Sequence, residues 1–380
     1  MSKYVFRFLC LLEILRFSFV YGQDIHQRSM RDYWRDSQRK IINIPDIPGY
    51  VTLKGDFHMH TVFSDGMVWP VFRVLEAWKE GLDVIAITDH IEFRPHSEYL
   101  ENDMNNSFKI AEIHAKQNNL LLIKGAEITK SKVPPGHLNA IFIEDVNKLN
   151  HEDPMVQIQE AVRQGGFIFW NHPGIQNDST GLWDFHLTLL EKGWLHGVEV
   201  ANYGMWYPVA LDWCRDGKLT ALSNSDIHYP TDYLFDFSQA NSHRPMTLVF
   251  AKEKTLEGVK EALLNRKTVG FFGDMLLGPE DLIISLFKAS VKLNPPFGTF
   301  TWQGLDYPIS ELHNPTDLTF IMEYAENDSG KPIRINLLPR STVIFGHPVD
   351  GQGPIRCKLL NCYSGSNQHP VVEMNISCDE

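Results

Sequence analysis

The chain has 380 residues, 43% of them hydrophobic and 22% charged, with a formal net charge of -12. That length and apolar share suit one large domain plus a smaller one and exclude wholesale disorder. The acidic balance leaves no basic footprint, so a stable nucleic-acid partner is not expected and small phosphate-bearing molecules suit the charge better.

At the start, Lys3 and Arg7 precede a mostly apolar stretch over 8–20, and Gly22 stands in a small-residue cleavage position before Gln23. This predicts a signal peptide over 1–22 and a periplasmic or secreted mature protein. Glu13 and Arg16 interrupt the apolar run, and the competing reading is an N-terminal helix with one buried face. No later run reaches the roughly 20 apolar residues of a membrane span, so no membrane span is expected. Residues 23–51 turn from polar to Pro-rich (Pro45, Pro48, Gly49) and read as an arm leading into the first domain.

From residue 52 the chain alternates short apolar runs with longer amphipathic ones. Strands are predicted over 84–88, 120–124, 138–143, 167–170, 198–200, 219–223 and 247–250. Helices are predicted over 70–80, 108–117, 154–164, 208–214 and 256–265. This alternation argues for an α/β fold with a parallel sheet or barrel, whose chemistry gathers at the carboxyl ends of the strands. After about residue 274, Pro, Gly and Asn become frequent, and runs over 317–324 and 333–338 read as short strands, so 275–380 is predicted to be a smaller β-rich domain. Of the five cysteines, Cys10 leaves with the leader; Cys214, Cys357, Cys362 and Cys378 remain, and their pairing stays open. Cys214, alone in a helical stretch, reads as a buried apolar residue.

The densest chemistry begins in the stretch 55–66. Side chains alternate along a strand, so His58 and His60 share a face while Phe57 and Met59 take the other. Asp226 and His228 repeat that spacing after the 219–223 run. Asp89 and His90 close the 84–88 run, Glu127 follows 120–124, His137 opens the next strand after Pro134-Pro135-Gly136, and His172 closes 167–170. Any one of these is as readily a cap or a satisfied polar residue as a ligand. Their accumulation at strand ends argues for catalytic metal instead. Mixed imidazole and carboxylate donors without nearby thiolates suit zinc, manganese or iron. There are more donors than one ion takes, so two or three divalent ions are expected, with Glu127 suited to bridge a pair.

His58-Met59-His60, Ser64-Asp65-Gly66, Thr88-Asp89-His90, Gly125-Ala126-Glu127, Gly136-His137, Asn171-His172-Pro173 and Asp226-Ile227-His228, in this order, resemble the polymerase and histidinol phosphatase (PHP) superfamily. The resemblance covers 52 to about 274 and implies a distorted (β/α)7 TIM-like barrel that places its ions in sets. His58, His60, Glu127 and Asp226 would hold the first; Glu127, His137 and His172 the second; Asp65, His90 and His228 the third. Some members carry His where this chain has Asp65, which leaves the third site's occupancy open. The phrases 46–50, 91–96 and 169–174 are similar to the secreted Sphingobium-type phosphodiesterase branch. That similarity implies hydrolysis of small organic phosphodiesters by a metal-bridging hydroxide. The alternatives are a phosphomonoesterase of the histidinol phosphatase kind and a secreted metal-containing binding protein without catalysis.

Glu127 and Asp226 are thus expected at the reaction centre, with Asp89 orienting a ligand histidine. Arg94 is a candidate phosphate clamp, because its fork matches paired oxygens, or else a surface salt bridge. His96 could donate a proton to the leaving group or be a plain surface histidine. Trp170, Trp183 and Trp206 either wall an apolar pocket or pack in the core. No oligomeric state follows from the sequence.

Overall fold

The computed structural model describes residues 38–130, 134–174, 181–216, 219–239, 242–302, 304–324, 332–346 and 354–375. The leader, Cys10, residues 23–37 of the arm and Cys378 lie outside them. The central sheet contains β1 (Val51–Asp56), β2 (Val84–Ile87), β3 (Leu121–Lys130), β4 (Gly136–Ile141), β5 (Phe167–Trp170) and β6 (Gly197–Asn202). It continues with β7 (Met205–Trp206), β8 (Thr220–Asn224), β9 (Met246–Ala251), β10 (Thr268–Phe272) and β11 (Met275–Leu277). Its spatial order is β11-β10-β9-β1-β2-β3-β4-β5-β6-β7, with β8 also paired to β6. The sheet curls until the segment after β8 meets the segment after β1: Met59 and Ile227 form a parallel bridge. Asp226 N donates to His58 O at 2.9 Å and His60 N to Ile227 O at 3.0 Å across that seam.

The α/β barrel expected from the sequence is thus present, but its sheet is mixed rather than parallel. β1–β2, β2–β3, β5–β6 and β6–β8 pair in parallel, whereas β3–β4, β4–β5 and β1–β9 are antiparallel. The link 131–135 explains the first reversal, since a parallel crossover takes about a dozen residues or more. β2, β5, β8 and β9 are buried along their whole length, as strands covered on both faces should be. The helices Pro70–Lys79, Pro154–Arg163 and Pro208–Arg215 each begin with a proline, whose missing N–H costs nothing at that position. Asp153 caps the second by accepting from Met155 N, and Thr255 caps Leu256–Leu264 by accepting from Gly258 N.

Beyond β11 the chain is β-rich, as expected, but starts with a helix, Glu280–Ser290, that buries Leu282, Ile283, Leu286 and Phe287. One small sheet holds β12 (Lys292–Leu293), β13 (Gly298–Trp302), β14 (Leu305–Asn314) and β17 (Ser341–Gly346). The other holds β15 (Phe320–Tyr324), β16 (Ile333–Leu337), β18 (Ile355–Leu359) and β20 (Val371–Met374). β19 (Cys362–Tyr363) pairs in parallel with β11 and so joins the barrel sheet. One apolar cluster runs through both regions, from Ile85, Phe250 and Phe271 to Phe287, Phe320 and Leu359. Cys214, Cys357 and Cys362 are buried and free. Among the described residues no helix is long and apolar enough to cross a membrane.

Candidate metal centre

The seam between β1 and β8 brings the outermost donors together. His58 and His60 are fully buried on one face of their segment, and Met59 is buried on the other. Their Nε2 atoms lie 3.1 Å apart, and Asp226 Oδ1 lies 3.1 Å from each. Asp226 adopts φ +50°, a left-handed conformation that swings its carboxylate back toward the two rings. Glu127, in β3, is fully buried and divides its oxygens. Oε1 lies 2.9 Å from His137 Nδ1 and 3.7 Å from His172 Nε2. Oε2 lies 2.9 Å from His90 Nδ1, 3.4 Å from His60 Nε2 and 3.5 Å from His58 Nε2. His137 reaches this mouth from the start of a strand because β4 runs backwards, its register setting Thr129 opposite His137. Asp65 Oδ1 completes the cluster at 3.2 Å from His228 Nε2, 3.5 Å from His90 Nε2 and 3.7 Å from His60 Nδ1.

Every residue singled out as a ligand therefore meets at one mouth, in overlapping groups. His58, His60 and Asp226 form one, Glu127, His137 and His172 a second, and His60, Asp65, His90 and His228 a third. The overlap puts His60 beside the third group as well as the first, which the motif order did not indicate.

This donor set fits divalent cations on its own terms. Asp65 Oδ1, Glu127 Oε2 and both ring nitrogens of His137 are buried without an acceptable hydrogen bond, although neighbours lie within 4 Å. Burial tends to raise the Glu127 pKa, but the imidazoles of His90 and His58 hold its carboxyl well below the usual range. Against the same burial, His58 and Asp226 hold each other charged: the Asp226 pKa is lowered and that of His58 raised. His90 is pushed up to about 10 against its burial by Glu127 and Asp65. Burial, with His90 and His228 close by, pushes His60 down to about 4, which leaves it neutral with a lone pair to give. Excess carboxylate charge that draws protons onto buried rings is charge a cation can take over.

The remaining nitrogens are oriented from behind. Glu199, fully buried in β6, takes His58 Nδ1 at 2.9 Å, His172 N at 2.7 Å, Asn202 Nδ2 at 2.8 Å and Asn224 Nδ2 at 3.0 Å. Sequence reading passed over Glu199; the available signal was a lone carboxylate inside the apolar run Val198-Glu199-Val200, where an unpaired charge is prohibitively costly. His90 Nδ1 lies 2.6 Å from Thr129 Oγ1, and His228 Nδ1 lies 2.8 Å from Asp226 O. Asp89, expected to orient a ligand histidine, reaches one through Ser64: it accepts from Thr61 N and Ser64 Oγ, each at 2.7 Å, and Ser64 Oγ lies 3.3 Å from His60 Nδ1. Gly66 permits that turn, because a Cβ there would meet His60 O and Thr61 N at 2.6 Å.

Arg94 donates to Asn102 Oδ1 at 2.6 Å and to Phe63 O at 3.4 Å, so it reaches the loop that carries Asp65 and forms no ion pair among the described residues. His96 is exposed. Trp170 is buried and stacks on His186 and Trp213; Trp183, half-buried, stacks on His186, and Trp206, also half-buried, lies tilted against Tyr363. The exposed apolar side chains beside the mouth are others. Phe93 lies edge-on 6.1 Å from His90; Met67, whose N donates to His228 O, is 64% exposed; and Tyr229, next to His228, stacks on Tyr233.

A curled α/β sheet whose strand ends deliver imidazoles and carboxylates to one mouth defines a metal-binding barrel. No family model matches the chain. It is similar, at 39% identity and a TM-score of 0.83, to a two-domain protein of Bacteroides vulgatus containing a predicted PHP-like metal-dependent phosphoesterase; the match covers 90% of this chain and 99% of that one. The chain belongs to the PHP-like metal-dependent phosphoesterase family. It is also 35% identical over 83 residues to an uncharacterized protein of Methanocaldococcus jannaschii, a match covering 22% of this chain and 36% of that relative.

Proposed function

We propose that the protein hydrolyses small organic phosphodiesters, as the secreted phosphodiesterase branch its motifs resemble would. The observation that carries the reading is the division of Glu127, one oxygen toward His137 and His172 and the other toward His58, His60 and His90. In this reading His58, His60, Glu127 and Asp226 hold one ion, Glu127, His137 and His172 a second, and Asp65, His90 and His228, with His60 alongside, a third. Zinc, manganese and iron all suit the donors. When bound, such ions supply Lewis acidity, neutralise phosphoryl charge and make water acidic enough to attack at neutral pH.

The chain's own residues do the rest. Glu199 holds His58 through Nδ1, so that Nε2 faces the mouth. Asp89 and Ser64 hold the turn that presents His60 and Asp65. Arg94, tied to that turn, is placed to swing its fork onto phosphoryl oxygens. Phe93, Met67 and Tyr229 offer an apolar rest for an organic ester arm. We further propose that residues 1–22 export the protein to the periplasm or beyond; cell fractionation that finds only cytoplasmic, uncleaved chain contradicts this.

The reading is tested by metal analysis beside turnover of bis(p-nitrophenyl) phosphate and p-nitrophenyl phosphate. Faster cleavage of the diester is expected. The reverse ratio assigns a phosphomonoesterase, and a metal-loaded protein inactive on both substrates points to a binding role.

A further inference from the structure

Arg73 is fully buried in Pro70–Lys79, a helix that carries no donor of the metal cluster. Its Nε donates to His60 O at 2.8 Å, its Nη2 to Ile227 O at 3.1 Å, and its Nη1 to Tyr229 O at 2.9 Å and to Glu76 Oε2 at 2.8 Å. Burying a guanidinium costs several kcal/mol unless it is paired and fully hydrogen-bonded. Glu76 answers the charge. The other bonds all end on main-chain carbonyls of the two segments that carry donors: His60 itself, Ile227 between Asp226 and His228, and Tyr229 just beyond.

The segment 225–231 is also fastened at both ends. Ser225 donates from N and Oγ to Asp56, and Thr231 donates from N to Glu76 and from Oγ1 to Glu80. Arg244 joins these anchors, giving Glu80 bonds of 2.7 and 3.0 Å and Asp56 one of 3.1 Å. Within that frame Asp226 is held at φ +50°, a conformation that a non-glycine residue keeps only when its surroundings over-determine it. Arg73 is bonded to both sides of the seam, to His60 O on one and to Ile227 O on the other.

We infer that Arg73 is a positioning residue that sets the separation of His60 from Asp226 and His228, and with it the affinity for the cations those side chains hold. This rests on the reading that the cluster binds metal. None of Glu127, His137 or His172 is among the groups Arg73 contacts, so the effect is local to one side of the mouth. Lysine retains the charge, but its compact ammonium cannot reproduce a rigid fork on carbonyls from two segments.

The test is a Co2+ titration of the full chain after chelator treatment, read by calorimetry and by cobalt's visible absorption, for wild type, Arg73→Lys, Arg73→Met and Thr231→Val. A His137→Ala control marks the binding step that belongs to Glu127, His137 and His172. Both Arg73 variants are expected to weaken the binding that depends on His60, Asp226 and His228 by roughly 10–100-fold, the usual loss when a ligand's supporting group is removed, with the His137-dependent step unchanged. Thr231→Val is expected to weaken that same binding by a smaller factor. Equal weakening of both steps, or unchanged binding in folded Arg73→Lys, overturns the inference. If neither Arg73 variant folds, Thr231→Val decides: unchanged binding at both steps overturns it. A wild-type protein that takes up no cobalt overturns the metal reading itself.

Discussion

His58 and His60 face each other through ring nitrogens 3.1 Å apart, with Asp226 equally close to both, a contact that a hydrogen bond or a cation satisfies. In the metal-free site the buried carboxylates hold protons on His58 and His90. His90, pushed up to about 10 by Glu127 and Asp65 against its own burial, stays protonated at neutral pH until a cation replaces that charge. Since protons below that pKa compete with the cation, affinity rises with pH and binding releases protons. Calorimetry in buffers of different ionisation enthalpy measures this directly, and proton uptake on binding would contradict it. Glu127→Gln keeps the shape and removes the bridging charge; turnover is expected to fall by at least about 100-fold with a lower metal content, and near-normal rates contradict the bridging role. Glu199→Gln leaves His58 with a weaker partner and is expected to cost roughly 10–100-fold in metal affinity, read by competition with a chromogenic chelator. The first of these glutamates was legible in the sequence because it ends a strand run in a known motif. The second was not, because its partners, His58, His172, Asn202 and Asn224, are gathered only by folding.

At the scale of elements, the turn after β1 is fixed by a close approach rather than by sequence preference alone. Any side chain at Gly66 presses on His60 O and Thr61 N, both backbone atoms that cannot step aside. Gly66→Ala is accordingly expected to cost about 1–3 kcal/mol, the usual range for overpacking, and to disturb Asp65. Thermal melts and metal content check this together; wild-type values for both contradict it. Seven barrel strands and most helices were readable from apolar period: 84–88 and 247–250 correspond to Val84–Ile87 and Met246–Ala251, and 70–80, 154–164 and 256–265 to Pro70–Lys79, Pro154–Arg163 and Leu256–Leu264, whereas Thr268–Phe272 was not. Strand direction was not readable. The antiparallel β3–β4 pair depends on the short link 131–135, and it is this reversal that lets His137, at a strand's beginning, join residues at other strands' ends. The helix Glu280–Ser290 escaped notice because its apolar residues lie in a stretch whose Pro and Gly neighbours suggested turns.

For the molecule as a whole, the barrel and the β-rich region share an apolar cluster and the β11–β19 pairing, contacts between residues far apart in sequence that no local pattern announces. The fold also carries an acid-sensitive group away from the cluster. His186, stacked on Trp170 and on Trp183, is pushed down to about 4 by burial, with the Pro135 carbonyl pulling the other way. The unfolded chain protonates this ring near pH 6.5, whereas the folded chain resists until about pH 4. Its contribution is therefore complete above about pH 6.5 and is lost as pH falls toward 4, by up to about 3 kcal/mol. In chelator-treated protein His186→Gln should flatten the decline of Tm over that window; parallel profiles contradict it.

Side chains from separate strands of one barrel converge at a single mouth, and anomalous X-ray diffraction from crystals of the metal-loaded protein decides whether they hold divalent cations there. Anomalous peaks are expected within about 2.0–2.3 Å of donor atoms of His58, Glu127, His137, His172 and Asp226, with Glu127 shared between two of them. Metal-soaked crystals with no peak at the mouth, or with the imidazoles turned away from it, would rule out a metal centre.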